Sequence, residues 1–157
     1  MTPAATPSRP GPALVVIGYG NELRGDDQVG VEVARAIASW ELPEVQALAV
    51  HQLTPELATV LAEAERAIFV DACHSECDAE PSMEPVMPLA EAPLDAHVGD
   101  PHALLTLTRI LYGRSPPAWQ LLIPAASFAY GARLSPLTNR GMLTALRFLR
   151  DLIRTFR

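Results

Sequence analysis

The chain has 157 residues, a formal charge of −6, and 49% hydrophobic against 19% charged residues. That length favours one domain with a real core, and that composition excludes wholesale disorder. Its longest aliphatic run, Ala13 to Ile17, is far below the roughly 18 residues that a membrane helix needs. All 12 basic residues are Arg, which removes every mechanism that requires a Lys, and an acidic chain is a poor match for nucleic acid.

Met1 to Pro12 carries four prolines and no apolar segment of signal-peptide length. It is expected to be a disordered leader (residues 1–12) ahead of a single α/β domain over 13–157, in a cytoplasmic protein. Ala13 to Ile17 is apolar and β-branched and ends in Gly18-Tyr19-Gly20-Asn21, the pattern of a buried strand followed by a loop. Val29, Val33, Ile37 and Trp40 recur at helical spacing and predict the first helix. Val45 to Val50 reads as the second strand, and Thr54-Pro55-Glu56 as the cap and first-turn proline of a second helix. Ala67 to Val70 is a third buried strand that ends at Asp71.

From Ala72 to Asp100 prolines interrupt the pattern, and only Pro85 to Leu89 reads as a short edge strand. Asp100-Pro101 opens a further helix to about Tyr112, with Leu104, Leu107 and Leu111 as its apolar face. Trp119 to Ile123 makes the last strand. Ser135-Pro136 opens the final helix, in which Met142, Leu146, Leu149, Ile153 and Phe156 form the core stripe.

Strands alternating with helices predict an α/β sandwich around a largely parallel sheet. If the first three strands take the order 2-1-3, a crevice opens above the carboxyl ends of strands one and three. The loop after strand one holds Glu22, Asp26 and Asp27, and strand three ends at Asp71, so carboxylates reach both sides of that crevice. Two carboxylates and an imidazole there would make a borderline divalent-cation site, suited to nickel, zinc or a similar ion. Asp27 and Asp71 would supply oxygens. His102, in the first turn of a helix whose dipole disfavours imidazolium, is the best nitrogen donor, with His97 near enough to compete. Either Asp26 or Asp27 could instead cap the first helix. Between Arg66 and Arg109 there are acids and no base, a stretch that would concentrate a cation or a basic peptide segment.

Other chemistries fit less well. Cys73, His74 and Cys77 form a Cys-His-x-x-Cys cluster that could be a soft-metal site or a redox pair, but it lacks the second half of a structural zinc site. It is left outside the proposed site. Gly18-x-Gly20 lacks the third glycine of a dinucleotide fingerprint, because Leu23 stands there. A phosphotransfer receiver would need a Lys after the last strand, and no Gly-x-Ser-x-Gly elbow exists.

The segment Val16 to Gly30, VIGYGNELRGDDQVG, closely resembles the N-terminal signature of the hydrogenase maturation proteases. The likeness continues through Phe69-Val70-Asp71-Ala72, Pro101-His102-Ala103-Leu104 and Phe128-x-x-Gly131-x-x-Leu134-Ser135-Pro136, in order. It implies a three-layer α/β/α sandwich around a five-stranded twisted sheet, phosphorylase/hydrolase-like. It also implies an endopeptidase, aspartic-type or metal-dependent, that trims the C-terminal tail of a nickel–iron hydrogenase large subunit precursor after nickel insertion. The family's metal-contacting acids fall on Asp27 and Asp71 and its histidine on His102, the trio already reached from topology, and the nickel would be carried by the precursor. Two departures stand out: Gln28 replaces the glycine usual after the Asp pair, and Ala125, Ala126 and Ser127 occupy positions where relatives often carry acids. The competing class is a metal-binding accessory protein that docks on the precursor without cutting it, for which the arginines along the last helix would offer a surface.

Overall fold

The computed structural model describes residues 11–91 and 99–156. Residues 1–10 of the expected leader, Asp95, His97 and Arg157 lie outside the described residues. The elements follow one another as β1 (Leu14–Tyr19), a 3-10 turn (Gly25–Gln28), α1 (Val29–Ala38), β2 (Val45–Val50), α2 (Leu57–Glu63), β3 (Ala67–Ala72), β4 (Ser82–Val86), α3 (Pro101–Tyr112), β5 (Ala118–Ile123) and α4 (Pro136–Arg154).

The five strands pair in the order β2-β1-β3-β5-β4, with β4 alone antiparallel to its neighbour. The expected 2-1-3 order is therefore present, and the chain reverses direction between β1 and β3. Every residue of β1 is buried, because strand alternation sends Val15, Ile17 and Tyr19 into one core and Leu14 and Val16 into the other. The first core is closed by α2 and α3 through Leu57, Leu61, Leu104 and Leu105. The second is closed by α1 and α4 through Val29, Val33, Ile37, Leu149 and Ile153. These are the three layers.

Several local expectations are revised. The edge strand runs Ser82–Val86 instead of Pro85 to Leu89. Pro85 is accommodated because the strand lies at the sheet edge, where a missing N–H breaks no ladder on the outer side. The second helix begins only at Leu57, since Thr54, Pro55 and Glu56 form a turn in which the Leu57 amide donates to the Thr54 carbonyl over 3.1 Å. In α3 the buried face is Ala103, Leu104, Leu105 and Thr108, while Leu111 is 58% exposed. Polar Thr108 can face inward because its hydroxyl donates to the Leu104 carbonyl at 2.8 Å, so apolar residues need not supply the whole stripe. The caps of α3 and α4 follow the sequence expectation: Asp100 accepts from the Ala103 amide and Ser135 from the Thr138 amide, each with a proline at the first helical positions.

One buried carboxylate ties the crevice loops together. Asp26 is fully buried and accepts from the amides of Ala126 (2.7 Å), Ser127 (3.0 Å) and Ser135 (2.7 Å) and from the Ser135 hydroxyl (2.8 Å). The Asp26 amide returns a bond to the Ser127 carbonyl at 2.9 Å, and the Gly131 amide donates to the Leu23 carbonyl at 2.7 Å. Gln28 adds two bonds from Nε2, to the Gly25 and Ala132 carbonyls. Its side chain thus ties the 3-10 turn to the segment before α4. Burial alone would raise the Asp26 pKa, but the four donors outweigh it and hold the carboxyl below the ordinary value. Asp26→Ala would leave three loop amides without their carboxylate partner. It is expected to lower the unfolding free energy by roughly 3 kcal/mol, read from urea denaturation, against a change within about 0.5 kcal/mol for an exposed control such as Asp151→Ala.

Candidate metal centre

The loop between β1 and α1 is shaped by backbone crowding. Gly20 has φ +149, and a Cβ there would overlap the carbonyl oxygen of Asp27. A Cβ at Gly30 would meet the carbonyl of Val70, so glycine lets the first turn of α1 sit directly on β3. These close approaches bring Asp27, just ahead of α1, over the end of β3, where Asp71 is the penultimate residue.

Asp27 and Asp71 converge as the sequence predicts. One carboxylate oxygen of each and a ring nitrogen of His74 all lie within 4.8 Å of one another. Nε2 of His74 is 3.1 Å from Oδ1 of Asp27 and 3.6 Å from Oδ1 of Asp71. Asp27 is oriented by the Asn21 amide, which donates to its Oδ2 at 2.7 Å and so leaves Oδ1 facing the cluster. The two carboxylates are largely buried, at 17% and 16% side-chain exposure, while His74 is 53% exposed. Nitrogen thus closes the site from the solvent side.

The sequence reading is corrected on one point: it set His74 aside with its flanking cysteines, and the structure puts that ring on both carboxylates. His102, the expected nitrogen donor, is not a member of the group. It is exposed at the start of α3, and its Nδ1 is 2.8 Å from the Met87 carbonyl. Because that oxygen can only accept, Nδ1 carries the hydrogen and Nε2 of a neutral ring keeps its lone pair free. Cys73 and Cys77 are joined in a disulfide, so neither offers a thiolate, which excludes the soft-metal reading of the cluster. The signal that could have found His74 is its spacing: it lies three residues beyond Asp71, immediately past the end of β3.

Tyr19 and Gln120 were also missed. The Gln120 amide donates to the Tyr19 hydroxyl at 3.1 Å, and that hydroxyl also bonds to Asp71. Burial, reinforced by the Asp71 charge, drives the tyrosine pKa far upward, so the phenol stays protonated and donates. Asp71 itself is raised from 3.8 to about 6, first by burial and then by the facing Asp27 charge, against the lowering influence of His74. A pair of facing carboxylates with one proton affinity raised is a recurring property of sites built for a cation or for proton transfer.

No protein-family model matches the chain, and no curated protein matches it. Solved structures match its fold. It is similar to the NiFe hydrogenase maturation protease HycI from Thermococcus kodakarensis KOD1, with a TM-score of 0.70 at 20% identity over 90% of this chain and 92% of that one. It is likewise similar to the hydrogenase maturating endopeptidase HybD from E. coli, with a TM-score of 0.67 at 19% identity over 90% and 92% of the two chains. A hydrogenase 2 maturation peptidase from Thaumarchaeota archaeon SCGC_AB-539-E09 gives a TM-score of 0.66 at 22% identity over 89% and 97%. The fold of this chain is the one that these maturation proteases share, over about nine-tenths of its length.

The raised Asp71 pKa has a measurable sign. The folded state holds this proton more tightly than the unfolded chain does, so the group's contribution to stability is fully present below pH 3.8 and is lost as pH rises through about 6. Asp71→Asn, which does not titrate, is expected to remove that downward slope in chelator-treated protein, measured as urea midpoints across the interval. An unchanged slope would place the proton elsewhere.

Proposed function

We propose that the chain is an endopeptidase of hydrogenase maturation, which removes the C-terminal extension from a nickel–iron hydrogenase large subunit precursor after nickel insertion, in the cytoplasm. The observation that supports this reading best is the convergence of Asp27 and Asp71 at the switch point of a fold common to hydrogenase maturation proteases. Among the described residues no helix is long and apolar enough to cross a membrane. The partner in this reading is a protein precursor that brings its own nickel as part of the substrate.

Two carboxylate oxygens and imidazole nitrogen suit a borderline divalent ion better than the all-oxygen shells that calcium takes. Nickel at these donors would supply Lewis acidity toward a water or the scissile carbonyl. The chain's own residues do the rest. Asp27 is held by the Asn21 amide so that Oδ1 faces the incoming ion. Asp71, held by the Tyr19 hydroxyl and with its proton affinity raised by burial, is the group suited to accept a proton from an attacking water. His102 stands apart from this cluster; its Nδ1 hydrogen is accepted by the Met87 carbonyl, which leaves Nε2 as the nitrogen free to meet the substrate.

The test mixes purified protein with nickel-loaded and nickel-free precursor and follows precursor mass. Loss of the tail only from the loaded form is expected; cleavage of both alike would remove nickel recognition. Unchanged mass with stable association would instead make the chain an accessory protein that binds without cutting. Asp27→Ala and His102→Ala are each expected to slow processing by about 100-fold or more with an unchanged circular dichroism spectrum. Full activity in both would end the site assignment.

A further inference from the structure

The resemblance to the maturation proteases assigns His74 no role, yet its ring is fixed from three sides. It stacks on Phe128, with centroids 4.5 Å apart and planes 12° from parallel. Its chain neighbour Cys73 is anchored to β5 by an amide bond to the Ile123 carbonyl at 2.8 Å and closes a short loop through the disulfide to Cys77. Its Nε2 is the atom turned toward both carboxylates. An exposed imidazole that only balanced two acids would need none of this restraint.

The separations are those of a single coordination shell. For an ion about 2.1 Å from each donor, neighbouring donor atoms lie roughly 3.0 Å apart in an octahedral arrangement and roughly 3.4 Å apart in a tetrahedral one. The nitrogen–oxygen separations here are 3.1 and 3.6 Å, and all three donor atoms lie within 4.8 Å of one another, so they are grouped closely enough for one ion to draw them together. We propose that His74 is a metal-ligating residue of this chain, which completes with Asp27 and Asp71 a two-oxygen, one-nitrogen site for one divalent cation and leaves its remaining positions open to substrate. That the cation is the precursor's nickel rests on the proposed function; the site itself does not.

The experiment therefore uses the free protein, without precursor, and nickel chloride as probe. Chelator-treated wild type titrated calorimetrically is expected to bind one Ni2+, and cobalt chloride is expected to give visible absorption bands that change when nitrogen leaves the shell. His74→Ala and His74→Phe are each expected to lose about tenfold or more in Ni2+ affinity and to shift the cobalt bands. The Phe variant keeps a ring to stack on Phe128 while removing the nitrogen, so a loss shared by both variants is a loss of ligation and not of packing. Wild-type affinity in His74→Phe, or a loss found only in His102→Ala, would overturn the assignment and leave the His74 contacts as an ion pair only. Precursor processing by wild type, followed in parallel, separates the two proposals: cleavage with normal Ni2+ binding by His74→Phe refutes this one alone, and Ni2+ binding through His74 without cleavage refutes the other alone.

Discussion

The crevice depends on Asp26. Its carboxylate joins the loop after β1 to the connection between β5 and α4, accepting from both ends of the 126–135 segment and from the residue that caps α4. A buried charge with four donors is stable only if those donors stay in place, so two loops from distant parts of the chain are held in one arrangement. Asp27 follows directly in sequence and inherits that placement. Phe128, on which His74 stacks, lies within the other loop. A single buried anion thus orders an acid on one side of the site and the ring support on the other.

Adjacent aspartates with opposite fates show how environment, not residue type, assigns a role. Asp26 is saturated with donors and has its proton affinity lowered. Asp27 has one backbone donor, and its remaining oxygen looks at a second carboxylate and an imidazole. The first has no capacity left for a ligand; the second has been left with some. The same contrast separates Asp71 from an ordinary strand-end acid, since burial and the facing Asp27 charge raise its proton affinity while Tyr19 holds one side of it.

Much of this was legible in the residues. Periodicity located β1, β2, β3, β5 and the caps of α3 and α4, because those signals are local: buried apolar runs, and a side chain that accepts its own helix's amides. The switch point followed from strand order, and with it the meeting of Asp27 and Asp71. What could not be read was set by contacts remote in sequence. Thr108 faces the core because a hydroxyl can satisfy itself on its own helix, which shifts the buried face away from Leu111. Asp26 looked like a helix cap, yet its partners are about a hundred residues away. His74 was discounted for its cysteine neighbours, and the disulfide that removes them as ligands belongs to the loop that carries its ring.

The order of restraint across the site bears on how such a centre can discriminate. Asp27 is fixed by the Asn21 amide, Asp71 by the Tyr19 hydroxyl with Gln120 behind it, and His74 by a stack and a closed loop. Each donor is positioned before any ligand arrives, so little ordering entropy is spent on binding. The two acids, facing each other in a partly buried setting, repel while empty of positive charge, and only a cation relieves that repulsion fully. A neutral peptide placed in the same crevice gives the carboxylates nothing to neutralise. Under the proposed function, a substrate that carries its own cation would therefore gain an interaction that the metal-free form of the same substrate lacks.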